Sequence, residues 1–181
     1  MKKLNFIFLL FLAITLFTFT SCDDDEGVDV NDVELITTVT LQFNLPDGTD
    51  AGSFTIRDTD GDGGNPPVKE SINLSANTGY LISAQFFDES DPADVEDITE
   101  EVNEEDDEHL VCYTASGLSA PFDLNTDSNG DLLGTTAAIT TGDAGTGTLQ
   151  IVLKHEPDKS ATDACATGET DVEVIFDVVV Q

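Results

Sequence analysis

Histidine and carboxylate are the side chains whose placement here could do chemistry, and the chain has two of the first against 37 of the second in 181 residues. Asp58, Asp60 and Asp62, followed by Gly63, reproduce positions 1, 3, 5 and 6 of a calcium loop. In such a loop alternate side chains converge oxygens on a hard cation, and the glycine permits a sharp turn. Lys69 stands where the closing bidentate glutamate belongs, so Glu70 or a distant acid has to complete the set. Asp-Gly repeats are also plain turn formers, which leaves this loop open between calcium and a turn. Asn125, Asp127, Asn129 and Gly130 echo the spacing and read as a hairpin tip. The histidines offer a softer site: on a helix through Glu101, Glu105 and His109 these residues share a face at i, i+4 spacing, and the fold can bring His155 to them. Imidazole with carboxylate suits zinc or copper better than calcium. The alternative for each histidine is an ordinary surface or core role.

Catalytic signatures are missing from the sequence. There is no Gly-x-Ser-x-Gly, no His-Glu-x-x-His and no P-loop, and nothing singles out two carboxylates as an acid/base pair. A role has to be argued from a site, so the expectation is a non-catalytic binding or accessory protein. Cys112 and Cys165 have neither CxxC nor zinc-site spacing. As an even pair in an exported protein they are expected to form a disulfide, with buried free thiols or a metal-thiolate site as the alternatives.

Export is read from the first residues. Lys2 and Lys3 precede an apolar run from Leu4 to Phe19, whose sixteen residues fall short of the roughly 20 that span a bilayer. A charged start, an apolar core and a processing point mark 1–21 as a signal peptide. Thr20-Ser21-Cys22 resembles the bacterial lipobox, with Phe19 in place of its leucine. The resemblance implies that Cys22 takes lipid and becomes the first mature residue, and several acyl chains anchor durably where one does not. Asp23-Asp24-Asp25-Glu26 looks like the acidic export tag of Bacteroidota lipoproteins, implying display on the outer face of the outer membrane. Residues 22–32 are then an acidic tether and 33–181 the domain. Cleavage leaves Arg57, Lys69, Lys154 and Lys159 as the only basic residues against 37 acids, a formal charge of 4 − 37 = −33. That balance repels nucleic acid and anionic lipid, whose phosphates are held by Lys and Arg. It favours solubility and attracts cations.

The elements that must position these groups are strands nearly throughout. Val33 to Leu45 alternates apolar and polar residues, and 53–57, 71–74, 80–87, 110–113, 120–125, 132–140, 148–155 and 172–180 follow with Gly, Asn and Asp turns between them. The pattern predicts an all-β, antiparallel sandwich of immunoglobulin or fibronectin type, with 120–155 as a three-stranded meander. Leu74 to Tyr80 resembles the tyrosine corner of such domains, in which the hydroxyl bonds back to upstream backbone. The break is Asp88 to Glu108, where thirteen of twenty-one residues are acidic. It reads as an excursion pinned by Ile98 and Val102, with Asp97 capping a short helix, or else as a solvated loop.

Four strings carry a wider resemblance: Asp58 to Gly64, Glu96 to Glu101 with Asp106 to His109, Lys154 to Lys159, and Gly168 to Val174. They look like a group of small flavobacterial surface lipoproteins of undefined activity, and the likeness covers most of the mature domain. Some of that group carry a type 1 periplasmic-binding label, and some are similar to proteins encoded beside TonB-dependent receptors of the outer membrane. The resemblance therefore implies a lipid-anchored accessory module with such a receptor as partner; a metal-capturing lipoprotein and a structural acidic coat are the alternatives. A type 1 periplasmic-binding protein needs two lobes of alternating strands and helices, a pattern this chain does not offer.

Overall fold

Period-two alternation becomes burial in the first strand. In β1 (Thr38–Asn44), Val39, Leu41 and Phe43 are buried while Thr40 and Gln42 are only partly covered, because successive strand side chains point to opposite faces. The computed structural model describes residues 34–61, 64–117 and 122–181. The expectations for the signal peptide, for Cys22 and its acidic tether and for Asp62 lie outside the described residues. Beyond β1 the chain forms β2 (Asp50–Arg57), β3 (Val68–Lys69), β4 (Ile72–Leu74), β5 (Gly79–Asp88), β6 (Glu96–Asp97), α1 (Ile98–Glu104), β7 (His109–Ser116), β8 (Phe122–Thr126), β9 (Leu132–Thr140), β10 (Gly145–His155) and β11 (Glu169–Val180).

These strands make two sheets. The first runs β3-β2-β1-β5-β9-β8 with β6 paired to β5, and the second runs β4-β11-β10-β7. All pairings are antiparallel except β4 with β11. The inner faces meet as an antiparallel β-sandwich. Phe43, Ile82 and Phe86 come from one side and Ile151, Leu153 and Phe176 from the other, each burial contributing roughly 1.5–3 kcal/mol. The tyrosine corner forms as expected: Ser75 N–H donates to the Tyr80 hydroxyl at 2.9 Å, and the buried ring meets Phe43 edge-on.

The meander does not form. β8 and β9 are a hairpin, but β10 lies in the opposite sheet, so the connection after Thr140 crosses the sandwich. Leu133, Ala137 and Ile139 on β9 and Leu149, Ile151 and Leu153 on β10 are both buried sets. Two strands with one apolar face each bury both by facing one another across the core.

The acidic excursion is ordered as β6 and α1. Asp97 caps the helix, accepting from Thr99 N–H at 3.0 Å, and Ile98 and Val102 are the buried residues that dock it. Among the described residues α1 is the one α-helix, so the paired α/β lobes of a type 1 periplasmic-binding fold are not what this domain builds. Cys112 on β7 is bridged to Cys165, in a 3-10 turn at Ala164–Ala166, with 6.0 Å between the Cα atoms. The bridge fastens the long β10 to β11 connection to the edge strand of the second sheet.

Candidate metal centre

His109 opens β7 and His155 closes β10, and the two are register partners. Both continue the inward parity of their strands, through Val111 and Tyr113 on one and Ile151 and Leu153 on the other. Their rings stack, with centroids 4.9 Å apart and planes 18° from parallel. Asp171 arrives by a different route. Parity from Val172, Val174 and Phe176 assigns it to the outer face, but Leu153 pairs with Val172 and Lys154 with Thr170, leaving Asp171 as the extra residue of a β-bulge. A bulge re-aims side chains. As a result one ligand atom from each of His109, His155 and Asp171 lies within 4.8 Å of the others.

The histidine tautomer is set by the backbone. His109 is 0% exposed, and its Nδ1 stands 3.1 Å from the Glu105 carbonyl. A carbonyl only accepts, so Nδ1 carries the hydrogen, and in the neutral ring Nε2 keeps its lone pair. Nε2 is buried without a hydrogen-bond partner, as are Asp171 Oδ2 and Glu34 Oε2. Leaving one such atom unsatisfied costs about 1–3 kcal/mol, and here three occur at one end of the sandwich. Burial, then the charges of Glu101 and Asp171, push the Glu34 carboxyl up to about 7, His155 opposing and a hydrogen bond with Glu101 adding to the rise. Burial also raises Asp171, against the pull of His155 and His109. A cation in this position would reverse both trends by stabilising the ionised carboxylates.

The predicted set of Glu101, Glu105, His109 and His155 is therefore brought together in part, and its geometry needs correcting. No helix runs through to His109: α1 ends at Glu104, Glu105 leaves helical geometry at φ −101°, ψ 45°, and His109 is already strand. Acids in the first turn and no base in the last leave the helix without i, i+4 ion pairs or a favourable C-terminal charge. Glu105 supplies its carbonyl, and its side chain is exposed. Glu101 reaches the cluster through Glu34. Glu108, His155 and Glu156 form a second, more exposed group, with His155 Nε2 at 3.8 Å from Glu108 Oε2. Sequence reading missed Asp171 and Glu34. A strand-parity argument places Asp171 on the wrong face, and Glu34 is one acid among many.

Of the described members of the calcium set, Asp58 and Asp60 are engaged as turn acceptors, and Glu70, just after β3, accepts across the pairing with β2. Asp58 Oδ1 accepts from Gly61 N–H at 3.1 Å, Asp60 Oδ2 from Asn65 N–H at 2.9 Å and Nδ2 at 2.7 Å, and Glu70 Oε2 from Thr55 N–H at 2.8 Å. Among the described residues the groups of three ligands occur only around His155. At the Asn125 to Gly130 tip, Asp127 Oδ1 accepts from the N–H groups of Asn129, Gly130 and Asp131, each at 2.9 Å. Its Oδ2 takes the Lys159 ammonium at 2.8 Å, so a side chain occupies the cation's place.

No protein-family model, curated protein or solved structure gives a significant match to this chain. The chemistry is carried by the donor set alone. Bonds of about 2.0–2.2 Å to imidazole nitrogen and carboxylate oxygen put tetrahedral zinc ligands roughly 3.4 Å apart, so side-chain rotations of about an ångström close the present spacing. The Glu105 carbonyl on His109 is the outer-shell partner that metal-bound histidines use to fix ring and tautomer.

Proposed function

We propose that this chain is an exported, lipid-anchored, surface-displayed protein whose non-catalytic task is to bind a divalent transition metal ion, zinc or copper, through His109, His155 and Asp171. One observation carries the reading: a fully buried imidazole, its proton committed to a backbone carbonyl, leaves an unpartnered Nε2 beside a second histidine and a buried carboxylate oxygen. Cys22 and the acids that follow it support the address, and the resemblance of four strings to small flavobacterial lipoproteins, some of them similar to proteins encoded beside TonB-dependent receptors, supports the partner class. The surrounding acidity raises the local concentration of cations. Calorimetric titration of the metal-stripped mature chain is expected to show one tight zinc or copper equivalent. The variant His109→Ala with His155→Ala should lose it, while calcium fails to compete. Absence of that equivalent, or its survival in the double variant, would leave the acidic-coat reading in its place.

A further inference from the structure

Two sets of ligand atoms at this end of the sandwich share one residue. His155 groups with His109 and Asp171 in the first and with Glu108 and Glu156 in the second, and within each set the donor atoms lie within 4.8 Å of one another. The shared imidazole is also intermediate in exposure: the Glu108 side chain is 52% exposed and that of His155 16%, whereas His109 is 0% exposed. The outer acids reach their place by leaving strand geometry. Glu108 and Glu156 stand one residue outside the His109 and His155 register pair, so parity alone would send their side chains to the opposite face of the sheet. Glu108 instead ends a turn, its N–H donating to the Glu105 carbonyl at 2.9 Å. Glu156 takes φ +48°, a left-handed conformation uncommon for residues other than glycine. Its N–H donates to the Glu108 carbonyl at 2.7 Å, which ties the two positions together. Both carboxylates thereby come beside His155, with Glu108 Oε2 at 3.8 Å from His155 Nε2.

A buried centre needs an entry path. Resting on the metal reading above, we propose that Glu108 and Glu156 are its loading site. An incoming zinc or copper ion is first held by these exposed carboxylates together with His155, and then passes to His109 and Asp171 as its bonds to the outer acids break. His155 is the ligand common to both stages. The outer acids hold the ion in transit and do not hold it in its final place, so they set how fast the centre fills and empties and leave unchanged how tightly it binds.

Stopped-flow binding of zinc to the metal-stripped mature chain, with release followed into excess chelator, tests this. In the double variant Glu108→Gln with Glu156→Gln, association and dissociation are both expected to slow by about tenfold or more, the lower end of what a charge-lined approach adds to an on-rate. Equilibrium affinity should match the wild type, because a stage on the path is crossed in both directions. The control is Asp123→Asn with Asp143→Asn, which removes the same charge at the start of β8 and just ahead of β10, whereas His155 closes β10. Its rates should equal those of the wild type. If the glutamate variant binds zinc more slowly but releases it no more slowly, the acids merely attract the ion or hold it permanently, and the loading site is wrong. Unchanged rates in that variant, or an equal slowing in the control, sink it too. All three results leave the His109, His155 and Asp171 centre standing. Failure of the wild type to bind zinc overturns the loading site together with the centre it serves.

Discussion

Asp127 shows what a single residue does when its charge is met inside the protein. Its side chain is 1% exposed and that of Lys159 7%, and the ammonium also donates to the Asp106 carbonyl at 2.6 Å. Burial alone would raise the Asp127 carboxyl, but the Lys159 hydrogen bond, the backbone donors of Asp131 and Asn129 and the Lys159 charge outweigh it, and the net shift is downward. A carboxyl lower in the folded state than its unfolded value of about 3.9 stabilises in full above that value. The contribution is lost as pH falls through the folded pKa. Asp127→Ala, which leaves Lys159 buried without its partner, should cost about 3–5 kcal/mol at neutral pH by urea unfolding. The gap between variant and wild type should narrow in acid. At this scale the sequence is readable by residue type and not by partner. The Asp58 to Asp62 spacing is identical whether the oxygens hold an ion or a turn's N–H groups, and no spacing rule shows that Lys159, more than thirty residues away, fills the Asp127 loop. His109 and His155 could be named as candidate ligands because there are so few histidines, whereas Asp171 was hidden by one inserted residue.

At the scale of elements, the connection from β10 to β11 does the positioning. Gly168 sits at φ +69°, and a Cβ there would stand 2.4 Å from the His155 carbonyl oxygen and 2.8 Å from Pro157 N. Those neighbours are backbone and cannot swing aside. Gly168→Ala is therefore expected to destabilise by at least about 1–2 kcal/mol from its left-handed conformation alone. By moving His155 it should also weaken zinc binding, a joint loss that thermal melts and titration of the same variant will register. The Cys112–Cys165 bridge closes 53 residues around the same connection and adds roughly 4 kcal/mol in the chain-entropy account. Reduction should lower the melting temperature by roughly 8–16 °C for a domain of this size, and non-reducing peptide mapping should recover one peptide pair joined through these cysteines. Recovery of two free thiols would refute the bridge. Strands were legible because alternation survives as burial, from Val39, Leu41 and Phe43 on β1 to Tyr80, Ile82 and Phe86 on β5. Which sheet a strand joins was not, since alternation reports the buried face and says nothing of the neighbour. β10 therefore read as the partner of β9 when it lies across the core from it. The short helix was legible from Asp97, Ile98 and Val102, and its end at Glu104 was not.

Across the whole molecule, charge and topology set behaviour. Of the four Lys and Arg side chains among the described residues, Arg57 pairs with Glu89, Lys159 with Asp127, and Lys154 is buried against Thr170. Few positive groups remain to offset the acids, so sodium chloride should raise the thermal midpoint steadily as the Debye length shrinks from about 30 Å at 0.01 M towards 3 Å at 1 M. A midpoint indifferent to salt would show the acids too dispersed to matter. The address is tested on intact cells: Cys22→Ala should abolish lipidation, and neutral residues at 23–26 should keep the lipid while removing the domain from the reach of added protease. β11 carries a further consequence, one of timing. This strand follows β4, β7 and β10 in the chain and lies between β4 and β10, and its end is clasped by Leu74 and Ala76 through Gln181. The second sheet thus cannot join β4 to β10 until β11 has been made. Such distant pairings form slowly, so β4 is bound into its sheet late in folding.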